Sequence, residues 1–341
     1  MGVDGPFPEE ACPVLAMGVF DGVHLGHQSL LAAALELARS RGAPLWALTF
    51  WPHPAEVLAG PAAGGRAHLS SLEEKVRLLG MCGVELVLVL RFDREVAAVE
   101  ARDFVRRSLA GGLRPTAVAV GFNFTFGRGG LGTPALLREL GRESGFEVMI
   151  HPAVRIRGEV VSSSAVRACL ERGDVERAGV LLGRPYSLVG PVEPGAGRGR
   201  RLGFPTANVV LPPDLARPSP GVYICSVTAR PDAAATVTPS GCSSDRPGDG
   251  AEVLPAVANL GTCPTFAEGA AEVEPRLEVH VLRGEAPTYG DRVRVFFHRR
   301  LRDERRFDGP DSLREQVARD REAAARFFGL ESDEVPGVKT D

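Results

Sequence analysis

The sequence predicts an α/β protein in two parts. An open parallel sheet with helices on both faces is followed by a compact antiparallel barrel and a terminal helix. Three observations carry this. From Val14 to about Leu182, short apolar runs alternate with stretches of helical periodicity, the pattern of parallel strands joined by helical crossovers. Beyond Pro185 the texture changes to short β-rich segments between Pro- and Gly-rich turns, as in a small barrel. Between the first strand and the first helix stands Gly18-Val-Phe-Asp-Gly-Val-His-Leu-Gly-His27, at the corner where a sheet of this layout binds anions.

In the first part the expected strands are Val14–Phe20, Leu45–Phe50, Leu86–Leu90, Ala117–Val120 and Glu147–Ile150, each a short and mostly apolar run. Residues 27–40, 71–80, 101–110 and 133–144 carry apolar side chains at helical spacing. Ser162, Ser163 and Ser164 ahead of Ala165–Leu170 supply side-chain oxygens that cap a helix. In the second part the expected strands are Val189–Val192, Ala207–Leu211, Val222–Ala229, Ala256–Leu260, Arg276–Leu282 and Arg292–Phe297. Residues 231–250 read as a loop insertion. A final helix, Ser312–Phe328, offers Leu313, Val317, Ala324 and Phe328 to the barrel. The junction is placed near Gly183, giving parts 1–182 and 183–330.

Composition narrows the function. Hydrophobic residues make up 44% and charged residues 24%, ordinary for a globular chain. A net charge of −3 provides no global attraction to nucleic acid or an acidic membrane, so neither is expected as a partner. No apolar run approaches a membrane span, and the acidic first ten residues do not resemble a signal peptide. Cys12, Cys82, Cys169, Cys225, Cys242 and Cys263 are scattered with no C-x-x-C pair, which suits a reduced cytoplasmic protein without structural zinc. Only two of the 40 basic residues are lysine, Lys75 and Lys339, and neither follows a glycine. A Gly-Lys-Ser/Thr phosphate loop is therefore absent. Phosphate charge is expected to fall to Arg, His, backbone N–H groups and metal.

At the first corner, glycines let the backbone approach a ligand and the helix start offers free N–H groups. His24 and His27 flank Gly26, so two imidazoles can converge on one anion. No Ser/His/Asp or Cys/His constellation suggests a covalent nucleophile. Thr49-Phe-Trp-Pro-His-Pro54, Gly121-Phe-Asn-Phe-Thr-Phe-Gly127 and Ser162-Ser-Ser-Ala-Val-Arg167 each follow an expected strand, at the carboxyl ends where open sheets bind ligands. Alone, Asn123 reads as a turn residue and His53 as a loop histidine.

Together these segments closely resemble the FMN adenylyltransferase module of bacterial bifunctional riboflavin kinase/FAD synthetases, a Rossmann-like nucleotidylyltransferase domain. The resemblance implies that His24 and His27 act catalytically on the ATP phosphates. It implies that Phe20, Asp21, Gly22, Gly26, Asn123, Ser163, Ser164 and Arg167 bind ATP, and that His53 and Pro54 lie near the flavin. That family often has Asp in place of Asn123 and Arg in place of Ala165, which leaves Arg167 as the basic residue of its motif.

The second dense signal is Gly195-Ala-Gly-Arg-Gly-Arg-Arg-Leu-Gly-Phe-Pro-Thr-Ala-Asn208. Its glycines permit close approach to phosphate, and Thr206 and Asn208 can present oxygens to a hard cation such as Mg²⁺. Gly-Phe-Pro-Thr-Ala-Asn resembles the riboflavin kinase signature. Gly221-Val-Tyr223, Asn259-Leu-Gly-Thr-Cys-Pro-Thr-Phe266, Leu277-Glu-Val-His280 and Tyr289-Gly290 recur at that family's spacing. The resemblance implies phosphate binding by Gly197 and Arg198, and Mg²⁺ accompanying ATP at Thr206 and Asn208. It makes Glu278 the general base for the ribityl 5′-hydroxyl and places Tyr289 and Arg302 near the flavin. Strand alternation sets Glu278 and His280 on one face and Leu277, Val279 and Val281 on the other. Where that family commonly has Asp, this chain has Arg283.

The activities implied are phosphorylation of riboflavin by ATP to FMN in the second part and adenylylation of FMN to FAD, with release of pyrophosphate, in the first. The implied partners are riboflavin, FMN and ATP; oligomeric state is left open. A flavin- or nucleotide-binding regulator would not need His24, His27, Thr206, Asn208 and Glu278 together, and no helix-turn-helix extension is evident. A cytidylyltransferase would share H-x-G-H but not explain the second part.

Overall fold

The computed structural model of the chain describes residues 11–59, 67–195, 199, 203–229, 252–262 and 275–330. The chain divides into two compact units, one running to Ser163 and one from Ser164 onward.

The first unit holds β1 (Val14–Met17), β2 (Leu45–Trp51), β3 (Leu86–Arg91), β4 (Ala117–Gly121) and β5 (Glu147–His151), all parallel, in the order β3-β2-β1-β4-β5. Its helices are α1 (Leu25–Arg41), α2 (Pro54–Ala59), α3 (Leu72–Met81), α4 (Arg94–Ala97), α5 (Ala101–Asp103) and α6 (Pro134–Ser144). After α5 the chain continues through Phe104–Leu113 in wider helical turns. Side chains alternate across the central strand. Val14 and Ala16 pack with Leu30, Leu31 and Ala34 of α1 and Leu78 and Leu79 of α3. Leu15 and Met17 pack with Phe104, Leu109, Leu137 and Leu140. Both faces of the sheet are thus covered, as parallel strands require. β1 ends at Met17, short of the expected Phe20, because the chain turns there: Phe20 has φ +51° and Gly22 φ +76°. A short hairpin of β6 (Arg155–Ile156) and β7 (Glu159–Val160) turns on Arg157 and Gly158, both at positive φ, as a two-residue hairpin loop demands.

The second unit holds α7 (Ser163–Glu171, beginning at the last residue of the first unit) and α8 (Val175–Leu182). They precede β8 (Tyr186–Glu193), β9 (Ala207–Val209), β10 (Gly221–Thr228), β11 (Leu254–Thr262), β12 (Pro275–Val281), β13 (Arg292–Arg302) and α9 (Pro310–Phe328). The six strands close an antiparallel barrel in the order β10-β11-β12-β9-β8-β13. Tyr223 meets Phe297 edge to face at 5.5 Å, and both are buried. On the opposite face of β10, Val222 and Ile224 join Val257, Ala324 and Phe328, so α9 seals one side of the barrel. The α/β class, the parallel sheet, the barrel and the terminal helix agree with the sequence. The 231–250 insertion lies outside the described residues.

The expected junction at 182/183 follows α7 and α8, yet by packing these helices accompany the barrel. The Leu170 carbonyl accepts from Ser219 N–H at 2.8 Å, and Glu176 pairs with Arg299 at 3.0 Å. A Cβ on Gly173 would stand 2.7 Å from the Arg300 side chain. Ala178, Leu181 and Leu182 are buried, and each such leucine is worth about 1.5–3 kcal/mol. A fragment starting at Ser164 is therefore expected to melt at a higher temperature than one starting at Arg184. Thermal unfolding of the two compares them directly, and equal midpoints would mean the helices contribute nothing to the barrel.

Candidate active sites

In the first unit the corner after β1 is clamped from several sides. His24 caps α1: its Nδ1 accepts from His27 N–H at 3.3 Å. The two imidazoles stack with centroids 3.7 Å apart, and Phe20 meets His27 edge-on at 5.2 Å. A Cβ on Gly26 would come within 3.0 Å of the His24 ring, so glycine is what lets the pair stack. Asp21 is buried and accepts from Leu69 N–H at 2.9 Å, while its carbonyl accepts from Ser163 Oγ at 2.9 Å. Gly22 N–H donates to Ser70 Oγ at 3.3 Å. Helix geometry leaves the first-turn amides of Leu25 and Gly26 without intrahelical acceptors, at the positive end of a long helix.

Burial, the neighbouring His24 and then Lys75 hold the His27 imidazole well below its ordinary pKa of 6.5, so it is neutral at neutral pH. Its Nδ1 is buried with no hydrogen-bond partner among the described residues. A neutral ring with an unused nitrogen beside free amides is suited to receive an oxygen-rich ligand.

Asn123 follows β4 and is exposed, with Gly121 beneath it: a Cβ there would stand 3.5 Å from its Oδ1. His53 and Pro54 follow β2, and the His53 Nδ1 accepts from Ala55 N–H at 3.0 Å at the start of α2. β2 and β4 flank β1 on its two sides, so the predicted residues converge on the carboxyl end of the central strand. Ser164 is exposed and Arg167 is buried on α7, which runs with the second unit.

In the second unit the barrel register assembles the site. Glu278 stands opposite Asn208 of β9 and Asn259 of β11, making one cross-strand row. It lies on the face away from buried Leu277 and Val279. Neighbours in such a row are roughly 5 Å apart. The loop glycines press against the polar residues. A Cβ on Gly195 would stand 2.6 Å from Asn208 Oδ1 and one on Gly199 3.1 Å from Thr206 Oγ1, so the backbone fits closely around both oxygens. His280 Nδ1–H donates to the Pro205 carbonyl at 2.8 Å, and Phe204 meets His280 edge-on at 5.9 Å while the Arg321 guanidinium lies over its ring at 5.3 Å. His280 and Arg321 thus brace the segment carrying Thr206.

The two predicted flavin residues of this unit lie apart from Asn208, Glu278 and Asn259. Arg302 shares the outer row through Val222, three strand spacings from Glu278. There it makes a forked pair with Asp320 of α9, at 2.7 Å for its closest contact. Tyr289 is 68% exposed in the β12–β13 turn. Gly197 and Arg198 lie outside the described residues. No group of three or more His, Cys, Asp or Glu side chains suited to a metal occurs among the described residues. The oxygens of Thr206, Asn208 and Glu278, cradled by loop glycines, fit instead a hard cation that arrives with phosphate and keeps several waters.

The FAD synthetase family model matches residues 8–165, and the riboflavin kinase family model matches residues 182–328. The bifunctional riboflavin kinase/FMN adenylyltransferase of Escherichia coli strain K12 is 39% identical over 323 residues, 95% of each chain. This chain belongs to the bifunctional riboflavin kinase/FMN adenylyltransferase family. The Bacillus subtilis strain 168 member is 35% identical over 321 residues, 94% of each chain. A crystal structure described as a macrolide-efflux protein from Streptococcus pneumoniae shares the fold with a TM-score of 0.80 and 29% identity, covering 94% of this chain and 95% of that one. No described helix is long and apolar enough to cross a membrane. As a bifunctional riboflavin kinase/FMN adenylyltransferase, the chain takes riboflavin, FMN and ATP as small-molecule substrates. Such kinases and nucleotidyltransferases use ATP generally with a divalent metal.

Sequence reasoning overlooked Lys75, Asn259 and Arg321 and gave His280 no role. For Asn259 the signal was available: it opens the Asn-Leu-Gly-Thr stretch at alternating spacing in a strand. For Lys75 and Arg321 only the fold places a charged helix residue inward, since a lone charge in a helical pattern ordinarily reads as solvated.

Proposed function

We propose that the bifunctional enzyme divides its activities between the units, with adenylyl transfer at the His24–His27 corner and riboflavin phosphorylation along the Asn208–Glu278 row. By this reading the functional division follows 1–182 and 183–330, α7 and α8 serving as structural support for the barrel. The observation that supports it most is that the first unit carries the stacked His24–His27 pair at the start of α1, while the second carries the separate Asn208–Glu278–Asn259 row.

In the first unit a phosphate oxygen of FMN attacks the α-phosphorus of ATP and pyrophosphate departs. His24, His27 and the α1 amides stabilise the charge that grows on the transferring group. Phe20, Asp21, Gly22, Gly26 and Ser163 hold the corner in shape and Asn123 adds to nucleotide binding there; Ser164 and Arg167 are phosphate ligands by the family's motif. His53 and Pro54 flank the flavin. In the second unit Glu278 takes the proton of the ribityl 5′-hydroxyl as that oxygen attacks the γ-phosphorus and ADP departs. Gly197 and Arg198 bind phosphate, while Tyr289 and Arg302 border the flavin. Thr206 and Asn208 hold Mg²⁺, which supplies charge neutralisation and alignment of the phosphates when bound. The cytoplasm, where ATP and reduced cysteines coexist, is the compartment this chemistry suits.

The test is to incubate the purified chain with riboflavin, ATP and Mg²⁺ and to resolve FMN and FAD chromatographically. FMN should appear first and FAD follow. Asn208→Ala should weaken Mg²⁺-dependent nucleotide binding and FMN formation, while FAD formation from added FMN persists. Loss of both activities in a folded variant would defeat the division.

A further inference from the structure

Sequence reasoning assigned phosphate charge to arginine, histidine, amides and metal. The fold adds a lysine. Lys75, one of only two lysines in the chain, is carried inward by α3 until 1% of it is exposed. Its Nζ lies 5.2 Å from the centre of the Trp51 ring at the end of β2, a favourable seat for an ammonium. Asp21 in the corner after β1, also 1% exposed and engaged by Leu69 N–H, is the carboxylate whose field favours the charged ammonium. Removing a charge from water this completely is costly unless it is compensated, so an ammonium kept buried against the Trp51 ring, with Asp21 as the opposite charge in its field, marks a place where positive charge is wanted. The imidazoles do not supply it all: His27 is held neutral, in part by Lys75 itself.

We propose that Lys75 is a charge-bearing phosphate ligand of the FMN adenylyltransferase site, held against Trp51 at rest and turned to the triphosphate when ATP binds. This rests on placing adenylyl transfer at the His24–His27 corner. In the step itself no proton leaves Lys75: the α-phosphorus–oxygen bond to pyrophosphate breaks as the bond to FMN forms, and the ammonium offsets the charge moving onto the departing oxygens.

The groups that act on Lys75 are Asp21 from the corner loop, His27 from α1 and Trp51 from β2. His68 stacks on Trp51 at 4.5 Å and contacts Glu56 at 3.2 Å. On α3 itself, Glu74 is paired with Arg77 at 2.7 Å. Burial pulls the ammonium down to about 8, with Asp21 pulling it up. The charged form is therefore lost as pH rises through that value, and removing Asp21 moves the loss to lower pH.

The experiment measures kcat and KM for ATP in FMN adenylylation from about pH 6.5 to about 9.5. It compares the intact enzyme with Lys75→Met, Lys75→Arg, Asp21→Asn and His27→Ala, using riboflavin phosphorylation in the same molecules as the check on integrity. The intact enzyme should lose kcat/KM on the alkaline side, and Asp21→Asn should shift that loss acid-ward. Lys75→Met should lower kcat/KM on the order of 10²-fold and abolish the alkaline loss. Lys75→Arg, whose guanidinium does not titrate here, should be flat on that side. Should Lys75→Met fail to fold, an alkaline loss that persists in Lys75→Arg belongs to another group and overturns the proposal. So does a Lys75→Met enzyme with intact kcat/KM. If His27→Ala retains FAD formation, the placement of the site fails; if it loses FAD formation while Lys75→Met does not, only the lysine proposal fails.

Discussion

Replacing His27 by alanine is expected to reduce FAD formation from FMN by about 10³-fold while riboflavin phosphorylation proceeds unchanged. The variant removes the ring stacked on His24 and edge-on to Phe20 without touching the backbone amides of α1. Its unpartnered Nδ1 indicates a group kept ready for ligand at the expense of stability. Separate rate measurements for the two products check this, and parallel loss of both in a folded protein would show that the sites are not independent. The ring also carries a pH signature. In the unfolded chain it takes a proton near 6.5, but in the folded chain only well below that. The unfolded state therefore binds more protons as pH falls through 6.5, and stability declines in that direction. His27→Ala should lessen this acid sensitivity, as read from unfolding midpoints at successive pH values.

Glu278→Gln is expected to lower riboflavin kinase turnover by roughly 10²–10⁴-fold while affinities for ATP and riboflavin change little. Glutamine matches the shape of glutamate and keeps its place between Asn208 and Asn259, but it cannot take up the hydroxyl proton. Turnover measured beside ligand titrations separates this from Asn208→Ala, which should act on nucleotide binding. Near-normal turnover in Glu278→Gln would remove the base and leave alignment of the phosphates as the source of rate.

The architecture was legible because its signals are periodic. Parallel strands buried on both faces produce unbroken apolar runs, and the Gly-rich corner stands where the first of them must turn. What was missed lacks a period. The β6–β7 hairpin has two residues per strand, and α2 spans only six residues. The proposed site residues stand out in the sequence where several chemical groups crowd a short segment, as in His24–His27 or Thr206–Asn208. They were illegible where one residue comes from far away in sequence. Lys75 lies over Trp51 only because α3 packs on the sheet beside α1, and Arg321 reaches Phe204 only because α9 seals the barrel. Arg302 illustrates the converse, for its guanidinium is largely engaged by Asp320, a partner that no strand pattern announces.

The row Asn208–Glu278–Asn259 has an implication for how this kinase can change over time. It is written in parity: even positions of β12, Glu278 and His280, lie on the outer face, and odd positions, Leu277 and Val279, fill the barrel. Deleting or inserting one residue within the strand would exchange the two sets, sending a carboxylate into the apolar interior. Folding would then fail, and with it the chemistry proposed for the row. Length changes in this strand must therefore come in twos, and the freedom to vary is displaced into the connecting loops, where a change in length leaves the parity of the strand untouched.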